Sequence, residues 1–131
     1  MRLTFIAVMI ALISPSIASA EDAVWAIAGK EVLKLHASAG SITPQKRVEM
    51  MDARVTEMLS KGDGTLSASD INIREKGDAI VIVVREDTLV TVLTGDASAF
   101  HTTREKLAKE WLTSIRNTLP QLAPRVNKRG A

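Results

Sequence analysis

The stretch INIREKGDAIVIVVREDTLVTVL, residues 71–93, decides the fold. It holds three runs rich in β-branched residues, separated by the turn-forming segments 75–78 and 85–87. Connections this short join antiparallel strands, because a parallel crossover needs about a dozen residues or more. The stretch therefore predicts a three-stranded antiparallel meander with strands at 71–73, 79–84 and 88–93.

Apolar side chains occupy both faces of the last two predicted strands. Simple alternation places Val81 and Val83 opposite the isoleucines of their strand, and Val90 and Val92 opposite the leucines of theirs. Leaving an apolar face exposed to water costs about 25 cal/mol of free energy per Å² of apolar surface and promotes aggregation. We therefore expect a cover: the N-terminal segment around Trp25, one helix on each side, or another protein surface. In the last case Val81, Val83, Val90 and Val92 form the interaction face.

Ahead of the meander, the sequence predicts two strands and one helix. The strands, 23–27 and 31–36, flank a turn at 28–30. Thr43 suits the N-cap of the helix and Pro44 its first position. The helix ends at Lys61-Gly62. Its buried stripe comprises Val48, Met51, Val55, Met58 and Leu59, and its wet side Arg47, Glu49, Asp52, Arg54 and Glu57.

A second amphipathic helix follows the meander. Thr102 and Glu105 predict a capping box at its start, and Pro120 predicts its end. The order β-β-α-β-β-β-α predicts an α+β fold, a mostly antiparallel sheet with two amphipathic helices on one face. This fold forms one domain, 21–124, and we expect a disordered basic tail at 125–131.

Residues 1–20 have the pattern of a cleaved signal peptide. A positive Arg2 precedes the apolar run 3–13, and Ala18 and Ala20 supply the small side chains that signal peptidase accepts. The run is shorter than the roughly twenty residues that span a bilayer. We therefore expect a periplasmic or secreted protein with no integral membrane segment after signal removal.

Composition excludes several functional classes. The chain has no cysteine, which excludes disulfides, thiol catalysis and thiolate metal sites. Residues 21–124 hold thirteen basic and fifteen acidic side chains, a poor electrostatic match to nucleic acid. Aromatic residues make up 3% of the chain and none is tyrosine, which disfavours stacking platforms for bases.

No motif predicts catalysis. His36 and His101 are the only histidines, and neither has the spacing of a metal ligand set. Asp96 and Ser98 lie close to His101 on one predicted loop, without the nucleophile elbow of a hydrolase. The loop 61–70 lacks the carboxylates of a calcium site. We therefore predict no enzyme activity, no catalytic residue, no metal and no cofactor.

Several short segments carry a resemblance to a known class of domain. They are 29–33 (GKEVL), 39–47 (AGSITPQKR), 89–97 (LVTVLTGDA) and 107–111 (LAKEW). Through them the chain resembles the periplasmic N-terminal domain of some bacterial small-conductance mechanosensitive channel homologues. The resemblance covers most of 25–119 and implies a stand-alone periplasmic accessory or sensing domain. It implies no pore and supplies no catalytic residues.

These observations together predict a non-enzymatic extracytoplasmic interaction module. Its partner is an unknown envelope protein or a second copy of the chain, bound by protein–protein contact. The alternative is a small-ligand binding or sensing domain of the cell envelope. A pocket of roughly 300–1,000 Å³ between sheet and helices favours the alternative, and a filled core disfavours it.

Overall fold

The structure, a computed structural model, describes residues 22–61 and 66–130, of which 122–130 by their backbone alone. The predicted leader, with Ala18 and Ala20 at its cleavage site, lies outside the described residues. So does Gly62, the predicted end of the first helix. No helix in the described part of the chain is long and apolar enough to cross a membrane.

The elements follow the predicted order. The strands are β1 (Ala23–Ile27), β2 (Lys30–Leu35), β3 (Ile71–Lys76), β4 (Ala79–Val84) and β5 (Asp87–Val92). The helices are α1 (Pro44–Ser60), α2 (Thr94–Ala99) and α3 (Arg104–Gly130), and a 3-10 turn, Ala68–Asp70, precedes β3. The α+β class is confirmed. The short helix α2 replaces a predicted loop.

The strands form two antiparallel sheets that share one core. β1 and β2 make a hairpin, and β3, β4 and β5 make the predicted meander. Ala28 and Gly29 connect the hairpin with φ angles of 52° and 83°. Two successive left-handed residues give a turn whose twist matches that of the strands it joins.

Helix α1 begins as predicted. The Thr43 hydroxyl accepts a hydrogen bond from the Lys46 N–H at 3.1 Å, and Pro44 occupies the first turn. The predicted stripe is buried except for Leu59, which is half-buried. The placement of Arg47 on the wet side is wrong, because only 7% of this residue is exposed.

Helix α3 begins one residue later than predicted. The cap is Thr103, whose hydroxyl accepts from the Lys106 N–H at 3.2 Å, so Thr102 and Glu105 form no capping box. The prediction that Pro120 ends the helix is also wrong. The helix continues to Gly130 and includes residues 125–130, the expected tail. Proline removes one backbone hydrogen bond and kinks a helix, but its fixed φ is helical.

One hydrophobic cluster joins both sheets to the helices. It contains Trp25 and Leu35 of the hairpin, Met51 of α1, Ile82 of β4 and Leu107 of α3. On the other face of the meander, Val81 and Val83 are buried but lie outside this cluster. The helices therefore pack against the meander face that carries Ile82.

Candidate functional site

The structure separates the four valines of the predicted interaction face. Val90 and Val92 pair with Ile82 and Ile80, whereas Val81 and Val83 pair with threonines of β5. Paired residues point to the same side of a sheet, so Val90 and Val92 belong to the core face. The cause is a β-bulge at Leu89, which shifts the alternation by one residue. All four valines are buried, so they do not form one open face.

In place of the predicted valine face, the described surface has a groove between β2 and α3. It has a volume of about 250 Å³. Its floor consists of Leu33 from β2 and of Leu107 and Trp111 from α3, three side chains that also belong to the core. These three side chains are only 4%, 1% and 4% exposed, so a partner removes little of their apolar area from water.

Charged side chains stand along the rim of the groove. Glu31 and Lys34 rise from β2 and Glu110 from α3, and all three are exposed. None of them forms a salt bridge with another described residue. Glu31 and Glu110 stand on facing walls, so a basic side chain would be attracted between them.

Strand β2 borders the groove with an unpaired edge. In the described part of the chain β2 pairs with β1 alone, so its other side carries main-chain groups without a strand partner. A bulge at Val32, between the pairs Trp25–Leu33 and Ala26–Glu31, twists this edge. Unpaired edges are where extended peptides add to a sheet, although the bulge disfavours such pairing at Val32 itself.

Phe100 closes one end of the groove and is 40% exposed. Its ring meets the His36 ring edge-on, with centroids 4.6 Å apart and planes at 80°. The Nδ1 atom of His36 lies 2.5 Å from the Asp22 carboxylate, and its buried Nε2 has no partner among the described residues. These contacts hold the Phe100 ring in place, and a fixed aromatic ring loses little entropy on binding.

A buried ion pair lies behind His36. Asp96 is fully buried; its Oδ1 accepts from the Arg47 guanidinium at 3.1 Å, and its Oδ2 forms an ion pair with the same group at 3.0 Å. The carboxylate also accepts from the backbone N–H groups of His36, Ala37 and Leu93, at 2.9, 2.9 and 3.2 Å. Four hydrogen bonds and the ion pair satisfy the charge, as a buried carboxylate requires.

The backbone beside this ion pair is packed too tightly for a larger residue. A Cβ atom on Gly95 would lie 2.7 Å from the Cβ of Ala37. Real Cβ atoms do not approach that closely, so glycine is required there for steric reasons. The contact brings the start of α2 against the segment after β2.

A second cavity lies between α1 and the open edge of β5. Arg47 donates to the Thr91 carbonyl at 3.0 Å, and Arg54 donates to the Leu89 carbonyl at 2.9 Å. The two arginines thus cover alternate carbonyls of the strand edge, which protects that edge from pairing with another chain. The cavity beside them has a volume of about 130 Å³.

The residues considered for catalysis do not assemble into a site. Asp96 is committed to Arg47 and to three backbone N–H groups, and within the described part of the chain its carboxylate forms no hydrogen bond with Ser98 or His101. His101 is exposed, with a φ of 55°. In residues 22–61 and 66–130 no cluster of three or more His, Asp or Glu side chains has the arrangement of a metal site.

The sequence analysis missed the groove and the ion pair. Arg47 precedes Met51 by four residues and Arg54 by seven. Residues at these spacings share one face of a helix, so the spacing was a signal that could have placed Arg47 on the buried side. Asp96 lies 49 residues from Arg47, and no local pattern reveals such a pair. Phe100 carried no signal beyond being one of two phenylalanines.

Comparison with known proteins gives one match. The family model described as "Domain of unknown function (DUF8459)" matches residues 23–122, which is most of the chain. The chain belongs to this family. No curated protein and no solved structure matches it.

Proposed function

We propose that this DUF8459 protein is a non-enzymatic interaction module of the cell envelope that holds an extended segment of a partner protein in the groove between β2 and α3. The observation that carries the proposal is the Phe100 ring, 40% exposed, at the end of a groove that lies beside an unpaired strand edge. A strand laid along β2 would bond to that edge and place alternate side chains on the floor.

The rim of the groove specifies the chemistry of that segment. A large apolar side chain fits the floor and packs against Phe100. A lysine or arginine beside it fits between Glu31 and Glu110, which have no other salt-bridge partner among the described residues. Such rim charges mainly set specificity and association rate, while the buried apolar contacts supply most of the affinity.

The size of the groove favours protein contact over a drug-sized ligand at this site. Its volume of about 250 Å³ is smaller than the roughly 300–1,000 Å³ of typical sites for such ligands. A shallow open groove suits a peptide better, because a peptide also contacts the strand edge and the rim.

The proposed location rests on the leader pattern of residues 1–20, with cleavage after Ala20. The processed protein then acts in the periplasm or outside the cell. The resemblance to the periplasmic domain of mechanosensitive channel homologues supports the same location. It also supports an accessory role beside a membrane partner.

A displayed library of random peptides, selected for binding to the protein, tests the proposed groove. We expect enrichment of a large apolar residue next to lysine or arginine. A labelled peptide of the enriched sequence should bind at least tenfold more weakly to Phe100→Ala, measured by fluorescence anisotropy. Glu110→Gln should weaken binding and reduce its dependence on salt.

Val24→Ala is the matched control. Val24 is the other large apolar side chain with high exposure, 45%, and it does not line the groove. Its truncation should leave peptide affinity unchanged. Equal affinities of Phe100→Ala and the unmodified protein, or equal losses in both alanine variants, would show that the peptide binds elsewhere and would refute the proposal.

A further inference from the structure

We infer that the cavity between α1 and β5 binds a small monocarboxylate with a short apolar tail. This cavity shares no lining residue with the groove between β2 and α3. The inference is therefore independent of the proposed protein contact and can fail or succeed separately.

The cavity wall is apolar on three sides. Ile42 comes from the loop before α1, Met50 and Met51 from α1 itself, and Val90 and Leu93 from the end of the meander. Met51 is buried, whereas Met50 is half-buried and borders the opening. Unbranched methionine side chains adapt their shape to a small apolar group.

The charge of the cavity comes from Arg54 alone. Arg47 also lines the wall, but Asp96 neutralises it through a hydrogen bond at 3.1 Å and an ion-pair contact at 3.0 Å. Arg54 makes one hydrogen bond, to the Leu89 carbonyl, and no carboxylate of residues 22–61 or 66–121 lies within salt-bridge distance of it. A guanidinium has five N–H donors, so most of those on Arg54 are open to a ligand.

Size and charge together select the ligand class. A cavity of about 130 Å³ is close to the roughly 150 Å³ of an engineered apolar cavity that accepts benzene, so it holds a ligand of similar size. A nucleotide or sugar is too large. One guanidinium can bond to two oxygens of either a carboxylate or a phosphate, but its single charge balances a monocarboxylate and leaves one charge of a phosphate dianion uncompensated. An aliphatic acid of about six carbons fits the site, with its tail against the apolar wall and its carboxylate on the Arg54 guanidinium.

Titration with hexanoate, followed by NMR of the methionine methyl groups, tests the inference. Hexanoate should shift the methyl signals of Met50 and Met51, which line the cavity, and leave that of Met58, which does not. Arg54→Gln should weaken hexanoate binding at least tenfold. Hexanol, which has the tail without the charge, should bind the unmodified protein at least tenfold more weakly than hexanoate.

Arg74→Gln is the charge-matched control, since Arg74 is an exposed arginine of β3 that does not line the cavity. It should leave hexanoate binding unchanged. Three results would overturn the inference: no shift of Met50 and Met51, equal binding of hexanol and hexanoate, or displacement of hexanoate by inorganic phosphate. A folded Arg54→Gln variant that binds hexanoate normally would overturn it as well.

Discussion

At Asp96 a single carboxylate holds four segments of the chain together. It bonds to Arg47 of α1, to the backbone after β2 and to the backbone at the end of β5, and it lies in the first turn of α2. Phe100 follows this helix directly and packs on His36, whose own N–H bonds to Asp96. The ion pair therefore fixes the aromatic end of the groove.

Asp96→Asn should cost about 3–5 kcal/mol of unfolding free energy, because it leaves the Arg47 charge buried without a partner. Urea denaturation measures this loss. Glu49→Gln is the control, since the Lys46–Glu49 pair at 3.6 Å is exposed and contributes less than about 1 kcal/mol. If Asp96→Asn and Glu49→Gln lost similar amounts of unfolding free energy, the buried pair would contribute no more to stability than the exposed one.

Gly95→Ala should destabilise the protein by about 1–3 kcal/mol, although alanine is the better helix former. The reason is the 2.7 Å approach of its new Cβ to that of Ala37. Ala37→Gly in the same chain should recover most of the loss, which a double-mutant cycle by thermal unfolding would measure. A neutral or stabilising Gly95→Ala variant would show that the two segments are not in tight contact.

At the level of the elements, the sequence predicted most of what local patterns control. β4 has the predicted bounds, and Thr43 and Pro44 begin α1 as expected. The bulge at Leu89 was not predictable, because one extra residue reverses every later side chain without changing the composition of the strand. The predicted valine face failed for this reason.

The groove was beyond prediction for a related reason. It depends on the position of α3 beside β2, elements that lie about seventy residues apart in the chain. The amphipathic pattern of the last predicted helix indicates a buried face, and in α3 Leu107 and Trp111 belong to that face. The pattern could not show that they would also form the floor of an open groove.

Pro120→Ala should stabilise the protein by about 1–3 kcal/mol, because it restores a backbone hydrogen bond inside α3. Part of this gain is offset by the greater freedom of the unfolded chain. Pro44→Ala is the control, since proline in the first turn of α1 removes no hydrogen bond and its loss should not stabilise. Circular dichroism measures the helix content of the two variants, and thermal unfolding measures their stability. A destabilised Pro120→Ala variant would contradict a helix that runs through this position.

At the scale of the whole molecule, the three helices and two sheets of the described residues leave separate surfaces for two partners. The groove lies between β2 and α3, and the small cavity lies between α1 and β5. The Arg47–Asp96 pair stands between them, since Arg47 lines the cavity and Asp96 holds the backbone of His36. A ligand in the cavity would thus be only a few contacts away from Phe100.

Export is the second property of the whole molecule that can be measured. Intact-mass spectrometry of the natural protein should find a chain that begins at Glu21, because we propose that the leader is cleaved after Ala20. It should be recovered from the periplasm or the medium. A product that retains Met1 would contradict the proposed location and leave the groove unaffected.

Photo-cross-linking from position 100 in living cells tests the central proposal most directly. A benzoylphenylalanine at Phe100 should give one reproducible adduct, cross-linked through an extended segment that carries an apolar side chain beside a basic one. The same probe at Glu57, an exposed residue of α1, should give none. Adducts of the same pattern from both positions, or none from position 100, would contradict a contact through the groove.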